Sequence, residues 1–342
     1  MFRFTLVCSA LLGMGSAGAA TPDQSTDRMQ SGAANASVLI RPFGYSMSIV
    51  PLDYAFAINN SGAIVGRVGG NAAMYSGGVV TILPGKAGYT DLEADDISNS
   101  GMIVGSGMSA GHRRALYWQS AASAPLDMSG LGRYTFPQSI NSQGTVVGYY
   151  YPTAMTDLPQ GFRWTPSTGM VNITPSGAQQ AQPFDVSDTG YVAGQAWYTG
   201  LGQQVVRWYP NGAVGRITGP GFARRAMDNG SVFGSGSSGQ TLWDLHNTPT
   251  LIGPAPQTHF VQQRSSADRW VGYTLAATWV PWTSVGTGAA TYLPMPAGAY
   301  GFANDVNSCG TVLGNVVLAD GTSHPVIWSR LFCDTLPPIF TL

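Results

Sequence analysis

Two short strings in the chain have the spacing of catalytic motifs. Gly107-Met108-Ser109-Ala110-Gly111 matches Gly-x-Ser-x-Gly, which exposes a serine nucleophile when it sits on a strand-to-helix turn with an acid and a histidine nearby. Gly234-Ser235-Gly236-Ser237-Ser238-Gly239 matches the dinucleotide loop, which needs a helix N-terminus to hold the pyrophosphate. Acid–base groups are sparse beside them: Glu93 is the only glutamate, and His112, His246, His259 and His324 share no motif. Oxygen ligands recur in Asp185-x-Ser187-Asp188-x-Gly190 and Asp305-x-Asn307, without the dense carboxylates a hard cation favours, so no metal and no cofactor is expected. Stacking is the remaining chemistry. Tyr149-Tyr150-Tyr151-Pro152 and Ala196-Trp197-Tyr198 bring aromatics together between strand signals, and Tyr150, Tyr151, Trp197 and Tyr198 are the candidate binding residues.

The elements that carry these residues are copies of one phrase, clearest in Ala57-Ile58-Asn59-Asn60-Ser61-Gly62-Ala63-Ile64-Val65-Gly66. Its closing glycine recurs as Gly66, Gly105, Gly148, Gly194, Gly234, Gly272 and Gly314, seven copies spaced by about forty residues. Six of the copies open on an aliphatic–polar pair (Ile58-Asn59, Ile97-Ser98, Ile140-Asn141, Val186-Ser187, Met227-Asp228, Val306-Asn307) and turn on Gly, Asn, Asp or Ser. A β-branched strand then closes on glycine, and a third strand ends in an aromatic: Tyr75, Trp118, Trp164, Trp208, Trp243, Trp279 and Trp328. A short aliphatic strand completes the unit. By this reading the turn of the fifth copy is one residue short, and Asp268 replaces the turn glycine of the sixth.

No stretch sustains a helical period, so the chain is expected to be all-β. Four strands in about forty residues make a propeller blade, and the expectation is a seven-bladed β-propeller of four-stranded blades. The seventh copy lacks a fourth strand, and an unpaired strand at Ser46 to Pro51 precedes the first copy. Placing that N-terminal strand on the last blade closes the ring and removes an open edge. Both catalytic-looking strings then fall between strands, where neither mechanism operates. The aromatics that end the third strands are expected to pack between adjacent sheets.

Composition agrees. Glycine (45) and proline (22) are abundant, charged residues make up 10%, and the 44% hydrophobic content is enough for a core. The net charge of −1 and the absence of a basic run exclude nucleic acid as the expected partner. Residues 1–20, with Arg3, an apolar run and small residues up to Ala20, read as a signal peptide, too short in its apolar part to span a bilayer. Residues 21–44 read as a flexible leader and 45–342 as a single propeller domain with a C-terminal tail. Export, to the periplasm or outside the cell, leaves Cys309 and Cys333 as an expected disulfide.

The copies resemble the extracellular repeat family named for its His-Ala-Phe motif, the HAF repeats. The resemblance rests on the Ile-Asn-x-x-Gly-x-Val-Val-Gly phrase and on the segments His324-Pro325-Val326-Ile327-Trp328 and Arg114-Ala115-Leu116-Tyr117-Trp118, although the His-Ala-Phe triplet itself is absent. It implies an exported repeat protein and brings no activity with it. The expected role is non-catalytic binding of a glycan or protein by one propeller face, as a monomer. The competing readings are a polysaccharide-active enzyme with an Asp-lined central channel and a structural envelope or matrix component.

Overall fold

Each repeat becomes a sheet because its strands are short, rich in β-branched and aromatic residues, and separated by turns that fix antiparallel pairing. The computed structural model describes residues 44–330 and 333, apart from 129, 218–220, 238, 253–258, 265–268, 276–277 and 287–288. The signal peptide, nearly all of the leader, Asp268 and most of the C-terminal tail therefore lie outside the described residues. Blade 1 runs Tyr54–Ile58, Ile64–Val68, Asn71–Ser76 and Val79–Ile82, hydrogen-bonded in that order. Blades 2 to 6 repeat this order, and all seven sheets have four strands. Among the described residues there is no helix.

The ring closes as expected. Ser46–Ile49 pairs antiparallel with Ser323–Ser329 and becomes the outer strand of blade 7, whose inner strand is Tyr300–Val306. Cys309, in the turn of that blade, is bonded to Cys333 with a Cα–Cα separation of 4.4 Å. The bridge fastens the chain that follows Ser323–Ser329 to the blade that the first strand completes.

Every inner strand carries a β-bulge at one position. The residue before it pairs with the closing glycine, as in Ala55↔Gly66, Ala94↔Gly105, Pro137↔Gly148 and Ala303↔Gly314. The next residue is then skipped in the register, as Phe56 is between Ala55 and Ala57. The bulge brings the two backbones together. A Cβ on Gly66, Gly105, Gly148, Gly194, Gly234 or Gly314 would lie between 1.9 and 2.4 Å from a carbonyl oxygen of the inner strand. The recurring glycine is a steric requirement inside each blade.

Two expectations about individual copies change. The fifth turn is not short: Ala226↔Val232 matches Ile58↔Ile64, and Met227 takes the turn bonds that Asn59 takes in blade 1. Its opening pair is Ala226-Met227, one residue earlier than composition suggested. In blade 6, Trp279 begins the third strand, and Ser284 occupies the place of the terminal aromatic, opposite Trp270. Large and small residues have exchanged strands there, and Trp270 and Trp282 form that core with Phe233.

The other terminal aromatics reach the preceding blade. The indole N–H groups of Trp118, Trp208 and Trp328 donate to Pro84, Ile173 and Pro294 carbonyls at 2.9, 2.7 and 2.7 Å, and each ring is buried. The Asn-x-x-Gly turns also tie blades together. Asn59 Oδ1 accepts from the Ser61 and Ala63 amides, while its Nδ2 donates to Ser98 O of blade 2. Asn141 reaches Ser187 O in the same way, and Asn307 reaches Asn59 O across the closure.

Replacing Gly105 with alanine is expected to cost about 2–3 kcal/mol or more, because the new methyl meets main chain. Gly85→Ala, whose methyl would only touch Leu92 Cδ1 at 3.6 Å, should stay within about 0.5 kcal/mol of wild type. Urea unfolding of both variants measures the contrast. Removing the disulfide with Cys309→Ala and Cys333→Ala should lower stability by about 3 kcal/mol, read as a fall in melting temperature that reductant reproduces in the parent protein.

Candidate functional site

Each inner strand has no neighbour on the axis side, so amides just beyond the bulge face the channel without a strand to receive them. Buried amides of this kind need acceptors. Three aspartates and one serine supply them in six blades. Asp305 accepts from Val306 N–H (2.8 Å) and from Ile58 N–H of blade 1 (2.9 Å). Asp96 accepts from Ile97 N–H and from Ile140 N–H of blade 3, both at 2.8 Å. Asp185 accepts from Ala226 N–H of blade 5 (2.7 Å) and from the Ser139 hydroxyl (3.0 Å), and Ser139 Oγ accepts from Val186 N–H at 3.5 Å.

These groups line a central cavity of about 270 Å³ together with Asp95, Arg224 and Arg225. Arg225 lies 4.0 Å from Asp185, and its guanidinium is held above its ordinary value: burial opposes the charge, but Asp185, Asp305 and Asp96 outweigh it. Burial pushes the Asp96 carboxyl up to about 7, reinforced by the charges of Asp305 and Asp185 and opposed by the Ile140 and Ile97 amides. Asp95 shares a second network. The Ser106 hydroxyl lies 3.2 Å from both Glu93 Oε1 and Asp95 Oδ2, and Arg113 pairs with Glu93. The only glutamate is thus buried in an ion pair. Sequence reasoning missed this constellation because its members belong to different repeats; the one signal is Asp immediately before the aliphatic residue in copies two, four and seven.

The strings with catalytic spacing form hairpins. Ser109 ends Ile103–Ser109, and Ala110 and Gly111 turn into His112–Trp118. Gly234 and Gly236 lie in Val232–Gly236, which returns as Gly239–Trp243. No group of three or more potential metal ligands occurs among the described residues.

The candidate aromatics lie in strands, at the end of the propeller away from the Asn-x-x-Gly turns. Tyr150 is only 5% exposed and packs in a core with Tyr117, Phe162 and Trp164, so it offers no surface to a partner. Tyr151 is half-buried in a cluster with Tyr149 and Phe136, at 6.0 and 5.8 Å between ring centres. In blade 4 the aromatics are part of a strand rather than between strands, because Trp197 and Tyr198 pair directly with Gln203 and Gly202. Tyr198 lies under Arg216 at 5.1 Å, and Trp197 makes no ring contact among the described residues.

A more exposed group lies at the same end, on blades 6, 7 and 1. Trp279 meets Tyr300 and Phe302 of the next blade at 6.2 and 5.9 Å, and Tyr273 stands 6.1 Å from Trp279. Tyr54 and Phe56 of blade 1 stack at 6.3 Å. Trp279, Tyr300 and Tyr54 are 39%, 36% and 56% exposed and begin their strands on three consecutive blades.

No protein-family model and no curated protein matches this chain. Solved structures do. YCF48 bound to D1 peptide aligns with a TM-score of 0.52 at 10% identity, over 88% of this chain and 100% of that one. A structure from a study of two prolyl endopeptidases aligns at 0.50 and 13% identity, over 83% of this chain and 50% of that one. TolB from Acinetobacter baumannii aligns at 0.42 and 12% identity, over 65% and 60%. The chain therefore spans about 60% of that TolB and half of the endopeptidase. At these identities the likeness establishes the propeller fold.

The Asp96 environment sets a pH dependence. With its carboxyl at about 7 in the folded protein and an ordinary value of 3.8, the native state keeps a proton that the unfolded chain releases. This stabilisation is complete below about pH 4 and is lost as pH rises to about 7, by at most about 1.4 kcal/mol per pH unit. Urea midpoints measured from pH 4 to pH 8 should show this decline in the parent protein and a flatter profile in Asp96→Asn.

Proposed function

We propose that the protein is an exported, non-catalytic binding protein of the HAF-repeat kind, which uses the aromatic end of the propeller to recognise a glycan or protein partner. The observation that carries this reading is the exposure of Trp279, Tyr300 and Tyr54 on three consecutive blades. Large amphipathic rings held on rigid strands supply contact area at low entropic cost, and their flat faces suit sugar rings and extended peptides alike. Tyr151 and Trp197 extend the same end over blades 3 and 4. The disulfide supports export, since such bonds persist in oxidising compartments. YCF48 bound to D1 peptide is a propeller that takes a peptide, which favours a protein partner by analogy of fold alone.

The competing reading, an Asp-lined catalytic channel, draws on the gathering of Asp96, Asp185 and Asp305 in one cavity. Against it, these carboxylates already accept amide or hydroxyl hydrogens that hold adjacent blades, so a proton-transfer role would compete with the frame.

Screening the purified protein against glycan arrays and envelope extracts identifies the partner. Trp279→Ala with Tyr300→Ala is then expected to weaken binding at least about tenfold in a protein that stays folded, and Tyr151→Ala with Trp197→Ala to weaken it less. Unaltered affinity in both double variants would remove the aromatic end as the site, and turnover of a polysaccharide that Asp185→Asn abolishes would establish the enzyme reading.

A further inference from the structure

Arg163 and Arg207 occupy the same place in successive blades. Each precedes the aromatic that ends the third strand, in the pairs Arg163↔Val147 and Arg207↔Ala193. Arg207 is fully buried and donates to four acceptors of blade 5: the carbonyls of Trp243, Asp244 and Leu245 at 3.3, 2.6 and 3.3 Å, and Asn247 Oδ1 at 3.2 Å. Arg163 makes a single such bond, to Gly190 O of blade 4 at 3.2 Å. No carboxylate pairs with it among the described residues, and burial holds its guanidinium below the usual arginine value.

One of the four acceptors is a side chain, that of Asn247, and it is this side chain that the matching turn of blade 4 lacks. Asn247 is the fourth residue after Trp243, in a turn closed by Asp244 N–H to Thr248 O and Asn247 N–H to Asp244 O. The matching turn after Trp208 has the same two bonds, Tyr209 N–H to Ala213 O and Gly212 N–H to Tyr209 O, but Gly212 stands where Asn247 does. Without that side chain a cavity of about 290 Å³ opens between blades 3 and 4, lined by Arg163, Asn172, Thr174, Ser176, Trp208 and Gly212 among others. Asn172 accepts the Thr174 amide through Oδ1 (2.7 Å), which leaves its Nδ2 as a donor, and Ser176 adds a hydroxyl. None of the described lining residues is acidic. A half-buried guanidinium without a counter-charge is costly, and an oxyanion is the group its fork of donors fits.

We propose that the cavity between blades 3 and 4 is a binding site for an oxyanion, anchored by Arg163 and kept open by Gly212. The site is separate from the aromatic end and does not depend on what binds there. Its ligand is a carboxylate, sulfate or phosphate group, either free or carried on an acidic sugar.

Thermal unfolding and calorimetry of the full exported chain test the proposal, with sulfate, glucuronate and glucose as probes at ionic strength held constant with chloride. Sulfate or glucuronate should raise the melting temperature saturably in the parent protein, while glucose should not. Arg163→Gln should raise Kd about tenfold or more. Gly212→Asn, which supplies the cap seen in blade 5 at a left-handed position that asparagine tolerates, should abolish the protection while the protein stays folded. Protection at lower concentration by sulfate would assign a free inorganic oxyanion, and by glucuronate an acidic sugar. The proposal falls if neither anion protects beyond chloride, or if protection survives in full in either variant. Gly212→Asn decides the matter even if Arg163→Gln fails to fold.

Discussion

One extra residue in each inner strand governs the rest of this structure. The bulge presses the inner strand against its neighbour so closely that only glycine fits opposite, and just beyond it the strand's free edge turns amides to the axis with no strand to receive them. The first consequence fixes the closing glycine of every copy. The second calls for side-chain acceptors in the channel, and Asp96, Asp185 and Asp305 meet it for their own blades or the next. The acidic residues of the channel are therefore part of how the ring is held. The raised Asp96 carboxyl follows first from its burial in the channel, with the charges of Asp305 and Asp185 adding to it.

Blade contacts outside the channel follow the same economy. Each blade must bury a sheet face against the next and satisfy the polar groups at that junction. Indole N–H groups reach back to carbonyls of the preceding blade, and turn asparagines reach forward to the following one. A repeat can drift only where its neighbour compensates. Blade 6 shows this in the exchange of Trp270 and Ser284 across two strands. Blade 3 shows the opposite case: Arg163 keeps the position of Arg207 while its neighbour has lost the capping asparagine. The positions left for function are those where this mutual compensation is missing or where rings keep an exposed part, as Trp279 and Tyr300 do at one end.

The seven blades, the closing strand and the Cys309–Cys333 bridge could be read in the sequence because each rests on local regularity: turn residues at a fixed spacing, β-branched runs and a cysteine pair. Individual registers were harder. Met227 in the place of an asparagine shifts the apparent fifth turn by one residue, and Trp279 imitates a terminal aromatic although it opens its strand. Tyr150 and Tyr151 are neighbours in sequence but face opposite sides of a strand, so one is core and the other reaches a surface cluster.

By itself, then, the sequence determined the repeat, the strand order and the ring, because hydrophobic period and turn chemistry act over a few residues. Only the tertiary structure decided which aromatics stand at the surface, that the channel aspartates serve the next blade's amides, and that Arg163 lacks the cap its counterpart has. Those properties belong to pairs of blades, joining residues about forty or more positions apart, and no local pattern records what a neighbouring blade supplies.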